Sequence, residues 1–258
     1  MTGRRRPVLA VVAGVLAVPL LGACGGDDVE GTAAPASPAA SSSASSSGSS
    51  GGSSSSGSSA SGTDLTPGLL PAEAFGSGAS VTRLTEQQLQ QGAAVAGGAT
   101  EGLQVTPPEC DQAVQGTQPS FDDYDDVAAQ VAVVGTTTTV QALASGGPAE
   151  DALAGFGEQL EGCRSVQVTS PDVGTVTITF EELDVPDLGD GSAGVTFTTT
   201  ATGPDGQQLT VPALVGVVQD GERVLVLLAT DPAGARPDPA AFTGLLERAY
   251  DTQAEALD

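Results

Sequence analysis

The chain of 258 residues has no histidine, no lysine and no tryptophan, and only two tyrosines and three cysteines. Each absence narrows the routes to function. Without histidine, no base of the usual kind activates a serine or cysteine nucleophile. Without lysine there is no G-x-x-x-x-G-K-[ST] phosphate loop. Without tryptophan, and with so little tyrosine, the aromatic platform on which sugar rings commonly stack is missing. Positive charge is scarce too: eight arginines face 32 acidic residues, a formal net charge of −24. Such a surface repels nucleic acid and anionic headgroups, so no nucleic-acid partner is expected.

What is present begins with Arg4-Arg5-Arg6 and the apolar run Val8 to Leu21, 14 residues long. A membrane-spanning helix needs about 20, so the run fits the core of an export signal. It ends in Leu21-Gly22-Ala23-Cys24, which resembles the bacterial lipobox. Residues 1–23 then read as a lipoprotein signal peptide. Cys24 reads as the lipidation site, carrying a diacylglycerol and palmitate anchor on the outer face of the cell membrane.

The tether follows. From Ser41 to Ser61, 15 of 21 residues are serine and the rest glycine or alanine. A segment of this composition buries too little apolar surface to offset its ordering entropy. Residues 24–63 therefore read as a lipidated, disordered linker, whose coil would reach roughly 35 Å. Residues 64–258 are long enough for one domain with a real core. Three arginines precede Cys24 and every acid follows it, so the mature chain carries five arginines against 32 acids, a formal charge of −27. The two cysteines left in an exported domain, Cys110 and Cys163, read as a disulfide. Two cysteines without histidine make a poor zinc site.

Within the domain, "TPGLLPAEAFG" and "TEQQLQQGAAV" predict a helical entry over 64–98, with Thr85 as a cap. "VAAQVAVV" (127–134) and "TTTVQALA" (137–144) flank Gly135-Thr136 and predict a hairpin. "GGPAEDALAGFGEQLEGC" predicts a helix with Pro148 in its first turn and an apolar stripe of Ala149, Leu153, Phe156 and Leu160. Then come "RSVQVT", "GTVTITFE", "GVTFTTTAT", "QLTVPALVGVV" and "ERVLVLLAT", all strand-like. Val176, Ile178 and Phe180 alternate with threonines, a pattern for one buried and one wet or ligand-facing side. Gln219-Asp220-Gly221 signals a hairpin. Pro212 is expected at an edge or a bulge, and Val224 to Leu228, which do not alternate, in a strand covered on both faces. A terminal helix should start with Asp238 as cap and Pro239 as first residue, burying Phe242, Leu245, Leu246, Ala249 and Tyr250. The sum is an α+β domain, a mainly antiparallel sheet with flanking helices.

Motifs with chemical potential are few. Asp122, Asp123, Asp125 and Asp126 in "FDDYDDV" have oxygen ligands for calcium but not the alternating spacing and distal glutamate of an EF-hand. They read as a solvated loop, and no metal or other cofactor is expected. Asp187 and Asp190 read as turn residues. "FGSGAS" (75–80) lacks the third glycine of a dinucleotide loop.

The order "PPEC" (107–110), a strand pair, "EQLEGC" (158–163), "RSVQV", further strands and a terminal helix resembles the PknH-type extracellular sensor domain of actinobacterial receptor kinases and lipoproteins. The match would span about Leu69 to Ala256. Leu160 stands where that family commonly has tryptophan, and a second disulfide is absent. The resemblance implies an α/β/α-type sandwich around an antiparallel sheet, with a cleft for an unidentified ligand. The expected function is a non-enzymatic binding or sensor module of the cell envelope, monomeric, taking an unknown small-molecule or cell-wall ligand. The alternatives are a carrier of apolar or lipid-like ligands and, third, an envelope hydrolase. No ligand-binding residue can be assigned from the sequence.

Overall fold

Strand formers alternating with small residues make one antiparallel sheet of nine strands. The computed structural model describes residues 64–92, 102–111, 114, 123–154, 162–170, 174–203 and 206–258. The strands are β1 (Ser80–Leu84), β2 (Gln104–Thr106), β3 (Asp126–Val134), β4 (Thr137–Ser145), β5 (Ser165–Ser170), β6 (Gly174–Glu182), β7 (Gly191–Thr202), β8 (Gln208–Asp220) and β9 (Arg223–Thr230). Their spatial order is β1-β3-β4-β9-β8-β7-β6-β5-β2. Every pairing is antiparallel. The α+β class and the antiparallel sheet expected from the sequence are what the chain forms.

The middle of this sheet is buried on both sides. On one face, Leu225 and Leu227 of β9, Leu214 and Val218 of β8 and Leu143 of β4 pack under the terminal helix Pro239–Leu257. On the other face, Val224, Val226 and Leu228 join Val215, Val217, Val195 and Phe197. This explains why β9 shows no alternation: neither face is wet. The terminal helix is capped as expected, the Asp238 carboxylate accepting from the backbone N–H of Ala240 and Ala241. Its buried side chains are Phe242, Leu246, Ala249 and Gln253. No helix among the described residues is long and apolar enough to cross a membrane.

Gly216 allows the helix to approach β8 closely. A Cβ there would lie 2.6 Å from Cδ2 of Leu246 and 3.3 Å from the Phe242 ring. Beside the helix, residues 64–75 form a strap of two short 3-10 turns, Thr66–Gly68 and Ala72–Phe75, that buries Leu65, Leu69 and Leu70 in the same core. Two buried glutamines hold the strap to the sheet. Gln130 Nε2 donates to the Leu70 carbonyl at 2.8 Å, and Gln141 Oε1 accepts from the Leu70 N–H at 3.0 Å. The same Gln130 amide also donates to Gln141 Oε1 at 2.8 Å.

Several expectations are refined. The helical entry expected over 64–98 is, up to residue 92, the two 3-10 turns, then β1, then helical residues 86–92, while 93–98 lie outside the described residues. Thr85 does cap that helix, in a reciprocal box with Gln88: the Gln88 N–H meets Thr85 Oγ1 at 3.3 Å and the Thr85 N–H meets Gln88 Oε1 at 2.9 Å. The helix expected over 146–163 opens as a 3-10 turn, Gly147–Asp151, with Ala149 buried. Leu153 packs on the core, while Phe156 and Leu160 lie outside the described residues. The second hairpin turns at Gly221-Glu222, because Asp220 pairs with Arg223. Pro212 sits inside β8 opposite Thr198 of β7, neither at the sheet's outer edge nor at a bulge. The β8–β9 ladder begins only at Ala213, so Pro212 occupies a local edge where β9 has ended.

Candidate functional site: an open hydroxyl face on half of the sheet

The strands beyond β8 have one packed side and one open side. Val166 and Val168 of β5 and Ile178 and Phe180 of β6 point into a satellite core with Val105, Cys110 and Cys163. Cys110 and Cys163 form the expected disulfide, with Cα atoms 5.6 Å apart. Because side chains alternate along a strand, the residues between these valines and isoleucines face the other way. On β5 they are Ser165, Gln167 and Thr169, and on β6 Thr175, Thr177 and Thr179. Pairing continues the same face onto β7 through Thr179↔Thr198 and Thr177↔Thr200, and onto β8 through Thr200↔Thr210.

This is the face that the terminal helix covers farther along the sheet. Its cover stops at β8 and the start of β7. Gly194 marks the border: a Cβ there would lie 2.5 Å from the Leu183 carbonyl, and Val185 stands equally close. The segment 183–188 thus lies on β7 at Gly194, and beyond Thr196 the face opens to solvent. Ser165, Gln167, Thr169, Thr175, Thr179 and Thr210 are exposed, and Thr177, Thr198 and Thr200 are half-buried. Two threonine pairs bond across strands, Thr169 with Thr175 at 3.2 Å and Thr200 with Thr210 at 3.5 Å. The alternation in "TVTITF" signalled a wet or ligand-facing side of β6. Its continuation over four strands needed the register to be seen.

The remaining motifs resolve into structure. Cys24 and Asp122 lie outside the described residues. Asp123 and Asp125 are seated on the corner Gly146-Gly147, where a Cβ would lie 2.1 Å from the Asp123 carbonyl and 2.2 Å from Asp125 Oδ2. Asp126 belongs to β3 opposite Ser145. Among the described residues, no group of three or more His, Cys, Asp or Glu side chains is placed to hold a metal ion. Asp190 closes a turn as expected, its Oδ2 accepting from the Gly221 N–H at 2.7 Å, while Asp187 is exposed in the 183–188 segment. Asp220 is bound by Arg223 at 2.9 Å and by Gln253 Nε2 at 3.4 Å, and Arg223 also pairs with Asp258. "FGSGAS" precedes β1 rather than following a strand, so it has no dinucleotide-loop context.

Tyr124, beside the acidic corner, gives a spectroscopic handle. Burial, helped by the Asp123 carboxylate, pushes its phenol up to about 12. Since the raised value belongs to the folded state, the stability it contributes is intact below pH of about 10 and is lost as pH rises through about 12. Tyr250 is also raised, by burial first and then by Asp220 and Asp258. Ultraviolet titration of a Tyr250→Phe variant should therefore show phenolate forming well above the free-tyrosine range. A midpoint near that of free tyrosine would mean that Tyr124 is not packed as described.

No protein-family model matches the chain, and no curated protein does. Among solved structures, the fold is similar to the extracellular domain of PknH from Mycobacterium tuberculosis, with a TM-score of 0.45 and 14% identity over 74% of this chain and 95% of that one. It is also similar to an uncharacterised protein of Mycobacterium smegmatis, the Rv0999 ortholog, with a TM-score of 0.44 and 14% identity over 72% of this chain and 97% of that one. The first is the type of domain that the sequence resembles.

Proposed function

We propose that this chain is an envelope lipoprotein, anchored through Cys24, whose folded domain is a non-enzymatic binding or sensor module. The observation that carries the binding role is the asymmetry of the sheet. One half of a face is sealed by the strap and terminal helix, while the adjoining half is left open and lined by threonine hydroxyls. Binding is favoured over turnover by the lining of the face, whose described residues carry hydroxyls and carboxamides, with the single carboxylate of Glu181 at the border. A carrier of apolar ligands would instead present an aliphatic lining, and the open face has hydroxyls and carboxamides.

The anchor is tested by Cys24→Ala, which should move the protein out of the membrane fraction or leave an uncleaved precursor. Processing and detergent partition identical to those of the unaltered protein would overturn lipidation. The binding role is tested by hydroxyl-radical footprinting of the protein in its native envelope and after purification. Peptides covering β6 and β7 should be protected in the envelope, and equal labelling in both states would overturn the role of this face.

A further inference from the structure

We propose that the open face docks a linear, uncharged polysaccharide strand, an assignment that rests on reading this face as a binding surface. Charge is the first argument. In a chain with 32 acids and eight arginines, the described residues of the face are threonine, serine and glutamine, with Glu181 alone at the border opposite Thr196. None of the described residues on the face is a cation for an anionic ligand to pair with, and a cationic ligand finds stronger attraction elsewhere on the molecule. A neutral partner is the one whose charge the face matches.

Hydrogen-bonding capacity is the second. Each hydroxyl is both donor and acceptor, as are the hydroxyls of a sugar. Those of Thr177, Thr179 and Thr198 have no partner among the described residues and are free to exchange water for ligand. The threonine methyl groups beside them offer apolar contact to the C–H faces of a sugar ring, a modest substitute for the absent aromatic platform.

Geometry is the third. The registers of β5–β6, β6–β7 and β7–β8 run without a skipped residue, so the hydroxyls form a regular array. Its repeats are roughly 4.8 Å across strands and 6.8 Å along them. Adjacent strands rotate by about 20–25°, so the array is twisted and a rigid planar ligand cannot follow it. A jointed chain can, and the described residues of the face beyond Thr196 are exposed or half-buried along its length. Many weak contacts along one strand then add up, as in multivalent binding.

The test is an NMR titration of the mature protein with two neutral oligomers, maltohexaose and chitohexaose. An oligogalacturonate and an oligoarginine peptide serve as charged probes. A neutral hexamer should shift the amides of β6 and β7 around Thr177 and Thr198, and bind at least tenfold more tightly than the corresponding dimer. The double variant Thr177→Val and Thr198→Val keeps the shape and strand preference, and should weaken binding at least tenfold while leaving shifts elsewhere unchanged. If neither neutral hexamer moves this face, the proposal is overturned, whatever the variant does. If oligoarginine or oligogalacturonate moves it instead, the face still binds but the glycan assignment falls. If the hexamers bind at other residues and footprinting shows no protection, both readings fall.

Discussion

Leu246→Ala should destabilise the domain by about 2–5 kcal/mol, toward the upper end of that range. Leu246 is fully buried and sits over Gly216, whose missing Cβ made room for it. With both side chains absent the space cannot be refilled by the strand below, so the cavity stays. Phe242→Ala should fall in the same range, since its ring is buried against the same strand. Each kcal/mol corresponds to roughly 2–4 °C of melting temperature in a domain of this size. By contrast, Glu247→Ala on the exposed side should change stability by less than about 0.5 kcal/mol. Arg248→Ala should do the same, although Arg248 donates to the Ala74 carbonyl at the surface. The packing can be checked by a double variant. Gly216→Ala alone drives a methyl into Leu246, and in the Leu246→Ala background that clash is gone, so the two changes should couple favourably. Calorimetry showing both Phe242→Ala and Leu246→Ala near zero would mean that the helix does not cover the sheet.

The second large effect is expected at the opposite end. Converting Cys110 and Cys163 to serine should cost about 2–5 kcal/mol, since the bridge closes a long loop in the unfolded chain. The loss should have a local signature as well. β2 has three residues and, among the described residues, pairs only with β5, and both cysteines belong to the small core beneath that edge. Hydrogen exchange should therefore accelerate first at β2 and β5, while the terminal helix stays protected. Thiol labelling of the native protein should find neither cysteine until reductant is added. Free reactive thiols in the native state would remove the bridge and the support it gives to the rear of the open face.

The strongest sequence signals were those in which local chemistry and tertiary packing agree. Asp238 and Pro239 start the terminal helix because a carboxylate cap and a residue without an N–H suit a helix's first turn. Val224 to Leu228 announced a doubly covered strand because no polar residue interrupts them. β1 escaped notice because "SVTRL" is short, lies at the edge and has only half-buried apolar residues. Gln130, Gln141 and Gln253 are polar by type and buried by partner, and no periodicity reveals that Leu70 would arrive from 60 or more residues away to meet two of them. The open face was half legible. The threonine alternation in β6 could be read locally, but its alignment with β5, β7 and β8 is a property of register.

The place of β9 has a kinetic consequence. It is the last strand in the chain yet stands between β4 and β8. Until it has been added, β1, β3 and β4 belong to one fragment and β2, β5, β6, β7 and β8 to another. β4 and β8 then each present an unpaired, largely apolar edge, the kind that recruits foreign strands. A chain delivered from its N-terminus presents both edges before β9 arrives to join them. Joining them must wait for the closure of a loop running from β4 to β9, which slows folding relative to a sheet built from successive hairpins. Chains that end before β9 should therefore aggregate rather than fold into half of the domain. The final three dozen residues, holding both the joining strand and the helix that seals it, decide whether the preceding strands become one molecule.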